Sequence, residues 1–328
     1  MRSDLMYTES QQRIIDRLEE FIKEHPSQNE AAAVLGISAQ ILTPLRKGTY
    51  KGTVDKYLNK LAAYFNIKDD LGSTYHEIEY AHTSISKKVY DTIRICHVKG
   101  GLAVYAGDAG IGKTKAAQKY VRDNPDSAVY ISVNPCLTSI KSTLKLLAGK
   151  LGAPTASTLD ELWSNIIGKL ADGMVLIFDE AQHLPIKTIE TLRSFSDYFR
   201  DSGQTLGIIF IGNHETARRL GTNKKADFAQ IRNRTKQTRV CTVKQIKRDD
   251  ICLLFPILAE SHMEAEIEFL WRISQTQQAL RGAVNLFSNA YDNNRQYDIK
   301  GLVSMAKFME LDLTGLDLKS IAAKGASS

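Results

Sequence analysis

The chain has no uninterrupted apolar run approaching the ~20 residues that a membrane-spanning helix needs, so the sequence reads as a protein with no membrane partner. It also lacks the apolar middle of a secretory signal: Met1-Arg2-Ser3-Asp4-Leu5-Met6 leads straight into polar residues, which makes the cytoplasm the expected location. Cysteine is scarce. Cys96, Cys136, Cys241 and Cys252 are scattered without a CxxC pair or a histidine at ligand spacing, a pattern that argues against structural zinc and a disulfide framework and for buried thiols. There is no internal repeat, and only 322–328 has a low-complexity flavour. Acids are missing from one stretch: between Arg218 and Arg248 stand eleven Lys or Arg and one acid, Asp227, against a net charge of only +6 for all 328 residues. That local excess suits a polyanionic partner.

Apolar residues Ile14, Ile15, Leu18, Phe21 and Ile22 have helical spacing, and Pro26 ends that helix. Residues 28–47 read as a short helix, a turn at Gly36-Ile37-Ser38 and a second helix, a helix-turn-helix that a helix over 54–65 completes. From Leu102 the pattern changes to short apolar runs, LAVYA, AVYISV, MVLIFD and LGIIFIGN, alternating with amphipathic segments. Such alternation predicts parallel strands buried on both faces with helical crossovers, an α/β fold. From about Ile246 to residue 310 the chain reads helical. The expected organisation is an N-terminal helix-turn-helix domain over 1–68, a linker over 69–82, an α/β core over 83–245, and a C-terminal helical subdomain with its tail over 246–328.

The strand ending near Ala106 runs into Gly107-Asp108-Ala109-Gly110-Ile111-Gly112-Lys113-Thr114, a full GxxxxGK[ST] match between a strand and a helix. Glycines let backbone N–H groups wrap phosphate oxygens, Lys113 supplies a positive charge, Thr114 a hydroxyl for Mg²⁺, and the helix start through Lys115 turns its positive end to the same anion. These residues point to ATP. A second apolar strand ends in Asp179-Glu180: Asp179 suits Mg²⁺, and Glu180 suits the orientation of an attacking water, because phosphoryl transfer depends on positioning more than on covalent chemistry. Asn213 ends another strand and is placed to hold that water, the alternative being that it begins a turn. Arg232 and Arg234 in FAQIRNRTKQ suit an arginine that reaches a neighbouring subunit's nucleotide, with Arg234 the choice. Arg281, in QALRGAVN, suits a γ-phosphate sensor tied to movement of a helical lid, or an ordinary salt bridge.

In this order, the elements resemble AAA+ ATPases over residues 80–310. The N-terminal helix-turn-helix with GDAGIGKTKAA, LIFDEAQHL, IGNHE, DFAQIRNR and ALRGAVN is more narrowly similar to the MuB-like transposition target-selection ATPases of phage Mu and transposons. That resemblance implies an ATP-dependent protein that binds double-stranded DNA with little sequence preference and assembles on it as a homo-oligomeric helical filament. It would deliver that DNA to a DDE transposase and leave on ATP hydrolysis. It also carries to Lys113, Thr114, Asp179, Glu180, Asn213, Arg234 and Arg281 the roles argued above. Arg232 departs from the family, which has an apolar residue there, so the choice between Arg232 and Arg234 stays open. In the family the region after strand AVYISV faces the filament's channel, which makes Thr138, Ser139, Lys141 and Lys145 DNA-contact candidates, or else a solvated helix face. Arg218, Arg219, Lys224 and Lys225 offer a second strip, or a surface loop.

Two other readings share these residues. One is a transcriptional regulator that reads an operator through Gln40, Thr43, Arg46, Lys47, Thr49 and Lys51, with ATP as a switch, although Pro44 would kink that reading helix. The other is a replication initiator or helicase loader built on the same ATPase core.

Overall fold

The structure is a computed structural model that describes residues 7–73, 75, 78, 80–222 and 235–314. The chain divides into two compact units, Met1–Tyr75 and His76–Ser328.

In the first unit four helices, α1 (Glu9–Lys23), α2 (Gln28–Leu35), α3 (Ala39–Arg46) and α4 (Val54–Ser73), enclose Leu18, Phe21, Leu42, Leu45, Leu58, Leu61 and Phe65. Thr8 caps α1 in a capping box with Gln11, satisfying amides that a helix start leaves bare. Gly36, at φ +60°, makes the left-handed turn between α2 and α3 that a side chain would strain. Helix α4 runs to Ser73, so the first part of the expected linker is helical. Arg46 does not face outward as a reading residue: its guanidinium donates twice to the Glu19 carboxylate, at 2.6 Å each, and once to Gln28 Oε1. Gln28 Nε2 in turn donates to Thr43 Oγ1 at 2.8 Å, which also draws Thr43 into the bundle.

The second unit is built on a five-stranded, all-parallel sheet: β1 (Gly101–Gly107), β2 (Ala128–Ser132), β3 (Met174–Asp179), β4 (Leu206–Gly212) and β5 (Thr235–Cys241), in the order β2-β3-β4-β1-β5. β1, β3 and β4 are buried almost throughout, as continuous apolar runs covered on both faces must be. β5 went unread in the sequence. It is a sheet edge whose side chains alternate between half-buried and exposed until Cys241, so its polar face hides it among loop residues. Helix α5 (Ser84–Lys99), also unread, precedes β1, and α6 (Lys113–Asp123), α7 (Ile140–Leu151), α8 (Leu159–Ile167) and α9 (Ile186–Asp201) make the crossovers. One face of the sheet packs Phe178 and Phe210 with Leu144, Leu147, Leu192 and Phe195 into a single core. After β4 come a one-turn helix α10 (His214–Ala217) and a π-helical turn over Arg218–Thr222. Among the described residues after β5 stand five α-helices: α11 (Arg248–Leu254), α12 (Pro256–Glu260), α13 (Glu264–Ser274), α14 (Ala279–Asp292) and α15 (Ile299–Phe308). All four cysteines are free, but only Cys96 and Cys241 are buried; Cys136 is exposed and Cys252 half-buried, because both sit on outward positions of their segments.

Close packing of α5 on β4 depends on Gly207, where an added Cβ would stand 2.5 Å from the Cys96 carbonyl oxygen. Gly149, inside α7, has open space where its Cβ would be. The same substitution should therefore act in opposite directions: Gly207→Ala lowers stability by roughly 1–3 kcal/mol through overpacking, and Gly149→Ala raises it by about 0.5–1 kcal/mol through helix propensity. Urea unfolding of both variants checks this, and shifts of the same sign would contradict the packing described.

Candidate functional site

Parallel strands aim their carboxyl ends the same way, and ligands in such sheets gather where the strand order reverses. Here β1 lies between β4 and β5, so the loop leaving β1 is flanked by the ends of both. Gly107 has no room for a side chain: a Cβ there would meet the Cys241 carbonyl oxygen at 2.5 Å and Ile111 Cδ1 at 2.8 Å. The chain then turns through Asp108, Ala109 and Gly110 (φ +74°), is anchored by fully buried Ile111, and enters α6 at Gly112 (φ +94°). No side chain caps α6, which leaves the first amides of that helix, Lys113 to Lys115, as donors for an anion. With its open side at Gly112, where an added Cβ would meet nothing within 4 Å, the loop fits a phosphate.

Lys113 Nζ donates to the loop's own carbonyls, Gly107 O at 2.9 Å and Asp108 O at 2.6 Å. Burial pushes its ammonium below the ordinary lysine range, while the carboxylates of Asp179, Glu180 and Asp108 pull the other way and the Arg281 charge adds to the depression. Thr114 Oγ1 donates to Asp179 Oδ2 at 2.7 Å. Asp179, 1% exposed at the end of β3, is held on three sides: by Thr114, by the Tyr130 hydroxyl at 2.8 Å on the same oxygen, and by the Glu180 amide at 2.9 Å on Oδ1. Tyr130, on β2, is a site residue that the sequence reading missed. Its phenol is pushed well above the ordinary tyrosine range by burial and then by the adjacent Asp179 charge, so it remains a donor. The hydroxyl of Thr114 with one carboxylate is the kind of protein share that Mg²⁺ accepts, the rest of its shell being phosphate and water.

Glu180 is exposed and stands at φ +57°, a left-handed conformation that costs free energy in a residue with a side chain. Its carboxylate accepts from the carboxamide nitrogen of Gln182. Asn213 ends β4 as expected, but its side-chain oxygen caps α10, accepting from the amides of Glu215 at 2.9 Å and Thr216 at 3.4 Å. The turn-forming alternative thus describes that oxygen. His214 Nε2 lies 2.7 Å from Asp108 Oδ1, and Val243 N donates to Asp108 Oδ2 at 2.7 Å, pinning the phosphate loop to the segments after β4 and β5. Burial would raise the Asp108 carboxyl, but the Val243 amide and the His214 ring together hold it below the usual range. Arg281 is exposed at the start of α14, its backbone amide donates to Gly110 O at 3.1 Å, and a Cβ on Gly110 would meet Arg281 Cβ at 3.1 Å. The lid helix thus sits directly on the loop.

Thr138, Ser139, Lys141 and Lys145 are all exposed where β2 leads into α7, Ser139 also capping that helix. Arg218 is exposed, but Arg219 departs from the expected strip: its guanidinium donates to the carbonyls of Gln182 at 2.6 Å and Leu184 at 2.7 Å, inside the fold. Among the described residues, two more cations of the basic stretch are engaged within the fold. Lys236 Nζ donates to Lys99 O at 2.6 Å, and Arg248 pairs with Glu264 and, at 3.6 Å, Glu268. Lys224, Lys225, Arg232 and Arg234 lie outside the described residues.

A AAA domain model matches residues 97–220. The chain is 24% identical over 82% of its length to the Mu-like prophage FluMu DNA transposition protein B of Haemophilus influenzae, covering 93% of that protein. It is 25% identical over 79% of its length to the ATP-dependent target DNA activator B of Escherichia phage Mu, covering 81% of it. Among solved structures, Cdc6p from Pyrobaculum aerophilum superposes with a TM-score of 0.53 at 16% identity, over 70% of this chain and 68% of that one, a likeness of fold. Fold, phosphate loop and relatives converge: residues 97–220 match a AAA domain carrying a P-loop ATPase site, and the chain is similar over most of its length to the B transposition proteins of Mu and Mu-like prophages.

Proposed function

We propose that this ATPase binds double-stranded DNA with little sequence preference, assembles on it as a helical filament, and delivers it to a DDE transposase, with ATP hydrolysis driving disassembly. The observation that carries the reading is the match, across about four-fifths of the chain, to proteins named for DNA transposition and for ATP-dependent activation of target DNA. In this reading Lys113 and the loop amides neutralise the phosphates, while Thr114 and Asp179 hold Mg²⁺, which when bound shields charge on the phosphate oxygens. Glu180, helped by the Asn213 amide nitrogen, aligns a water against the γ-phosphorus; the bond to the bridging oxygen breaks, ADP leaves, and the water's proton passes towards Glu180. Arg234 of an adjacent copy and Arg281 on the lid balance charge developing on the γ-phosphoryl group. Thr138, Ser139, Lys141, Lys145 and Arg218 contact the DNA backbone, with Lys224 and Lys225 extending the strip. The operator-reading alternative loses Arg46 and Thr43, which are engaged inside the N-terminal bundle.

Three measurements test the proposal. Electron microscopy on a random-sequence duplex should show filaments with ATP and none with ADP, and Lys113→Ala and Arg234→Ala should abolish them; nucleotide-independent binding confined to one sequence would leave the regulator standing instead. Lys141→Ala should weaken binding to all duplexes alike and reduce the slope of log affinity against log salt by about one, whereas a change for some sequences only would assign Lys141 to base reading. Tyr130→Phe removes one of the donors that fix Asp179, so the Mg²⁺ concentration for half-maximal hydrolysis should rise roughly tenfold with metal-free nucleotide affinity unchanged; an unaltered Mg²⁺ dependence would make Tyr130 a packing residue only.

A further inference from the structure

The amino ends of β4, β1 and β5 lie at the opposite end of the sheet from the phosphate loop, and there the fold forms a cavity of about 240 Å³. Four cations line it: Lys99 from the end of α5, Arg193 and Arg200 from α9, and Lys236 from β5. One carboxylate, Asp197, stands against them, an excess of three positive charges. Leu102 and Leu206 add an apolar wall. Like charges gathered in a recess repel one another more than they would on open surface, where water and salt screen them, unless a counter-charge joins them.

The cations are held in place by the fold. Arg193, Asp197 and Arg200 recur at i, i+4 and i+7 on α9, which puts them on one face of the helix. Asp197 sits between the two guanidiniums, with Oδ2 3.0 Å from Arg193 and Oδ1 2.9 Å from Arg200. Its charge is thus spent in fixing two arginines. Arg200 also reaches Asp201 at 3.1 Å, and a guanidinium has more N–H donors than these two pairings use. Lys236 Nζ donates to Lys99 O at 2.6 Å, which folds the β5 lysine back over the turn between α5 and β1. Its stem occupies space that only a glycine leaves open, since a Cβ on Gly101 (φ +84°) would meet Lys236 Cε at 2.9 Å.

We propose that this cavity is a second anion site, distinct from the nucleotide site, and that it takes a compact diphosphate-class anion. A single phosphate group carries up to about two negative charges near neutral pH and would leave the lining positive; a diphosphate balances it. Guanidinium forks match the paired oxygens of such a group better than ammonium ions alone would. The volume is below the roughly 300–1,000 Å³ of sites that take drug-sized ligands, which excludes a base and sugar alongside the phosphates. A duplex backbone fits less well, because it brings a continuous chain of sugars with one charge per phosphate.

The test is calorimetric titration of the full chain with pyrophosphate, at fixed ionic strength and without divalent metal, in a Lys113→Ala background that weakens the phosphate loop's own hold on anions. Pyrophosphate should still bind, and adding Arg200→Ala should weaken it roughly tenfold, the size expected for losing a charge-assisted hydrogen bond. Arg200→Lys, which keeps the charge and loses the fork, should fall between the two. Should Arg200→Ala fail to fold, Lys99→Ala on the exposed rim should still weaken binding by about threefold or more. Bound pyrophosphate should also raise the melting temperature of the parent and not of the Arg200→Ala variant. Loss of all binding with Lys113→Ala alone, or binding that neither the Arg200 nor the Lys99 change moves, overturns the site. Citrate binding as tightly as pyrophosphate overturns the assignment to phosphates, and displacement of pyrophosphate by duplex DNA overturns it in favour of the nucleic-acid backbone.

Discussion

The arrangement of the site depends on a buried carboxylate. Asp179 lies at the end of a strand that is apolar along its length, and taking a carboxylate out of water is costly unless its oxygens are matched by donors. Three donors match it, and each comes from a different direction: Thr114 from the start of α6, Tyr130 from β2, and the Glu180 amide from the chain just beyond. Satisfying one buried charge therefore fixes the register of the phosphate-loop helix against two strands and forces the chain to turn sharply at Glu180. The left-handed backbone there has the same origin, since the amide of Glu180 must face back onto its neighbour's side chain.

Sheet order explains why the surrounding segments converge. Because β1 is flanked by β4 and β5, the segments leaving those two strands reach Asp108 from opposite sides, His214 from one and Val243 from the other. The lid helix completes the enclosure through Gly110, where only a glycine admits the close approach of Arg281 and Ala279. These contacts are polar and short in reach, which suits parts that move relative to one another as a nucleotide binds more than a packed apolar seam would.

The features legible in the sequence and those hidden in it divide along physical lines. Backbone-dominated features were readable: the glycine-rich loop, the apolar runs of β1 to β4 and the helix-turn-helix all arise from periodicity or from the conformational freedom of glycine. Tyr130 was hidden because its importance lies in contacts across the fold, and it stands at no diagnostic spacing. β5 was hidden for a different reason: an edge strand buries only one face, and its Lys, Gln, Thr and Arg residues look like a charged loop. The basic stretch misled in part for the same reason. Charge counted along a chain does not reveal which cations are taken up by partners of the fold, as Arg219 and Arg248 are. Asn213 directly follows the last residue of β4, yet which of its two side-chain atoms is engaged depends on the helix that starts there.

Lys113, Glu180 and Asn213 share a property: each is already hydrogen-bonded within the protein. Lys113 is bonded to its own loop's carbonyls, Glu180 to Gln182, and the Asn213 oxygen to its own helix. A nucleotide meeting this site exchanges partners; it does not supply them to bare groups, so the net gain for each contact is the difference between two hydrogen bonds and is modest. On the proposed reading of the site, the Lys113 contacts oppose binding by the amount that must be given up, whereas the Glu180 and Asn213 contacts oppose only the arrangement in which water is aligned. Affinity and turnover are thereby governed by different bonds within one site.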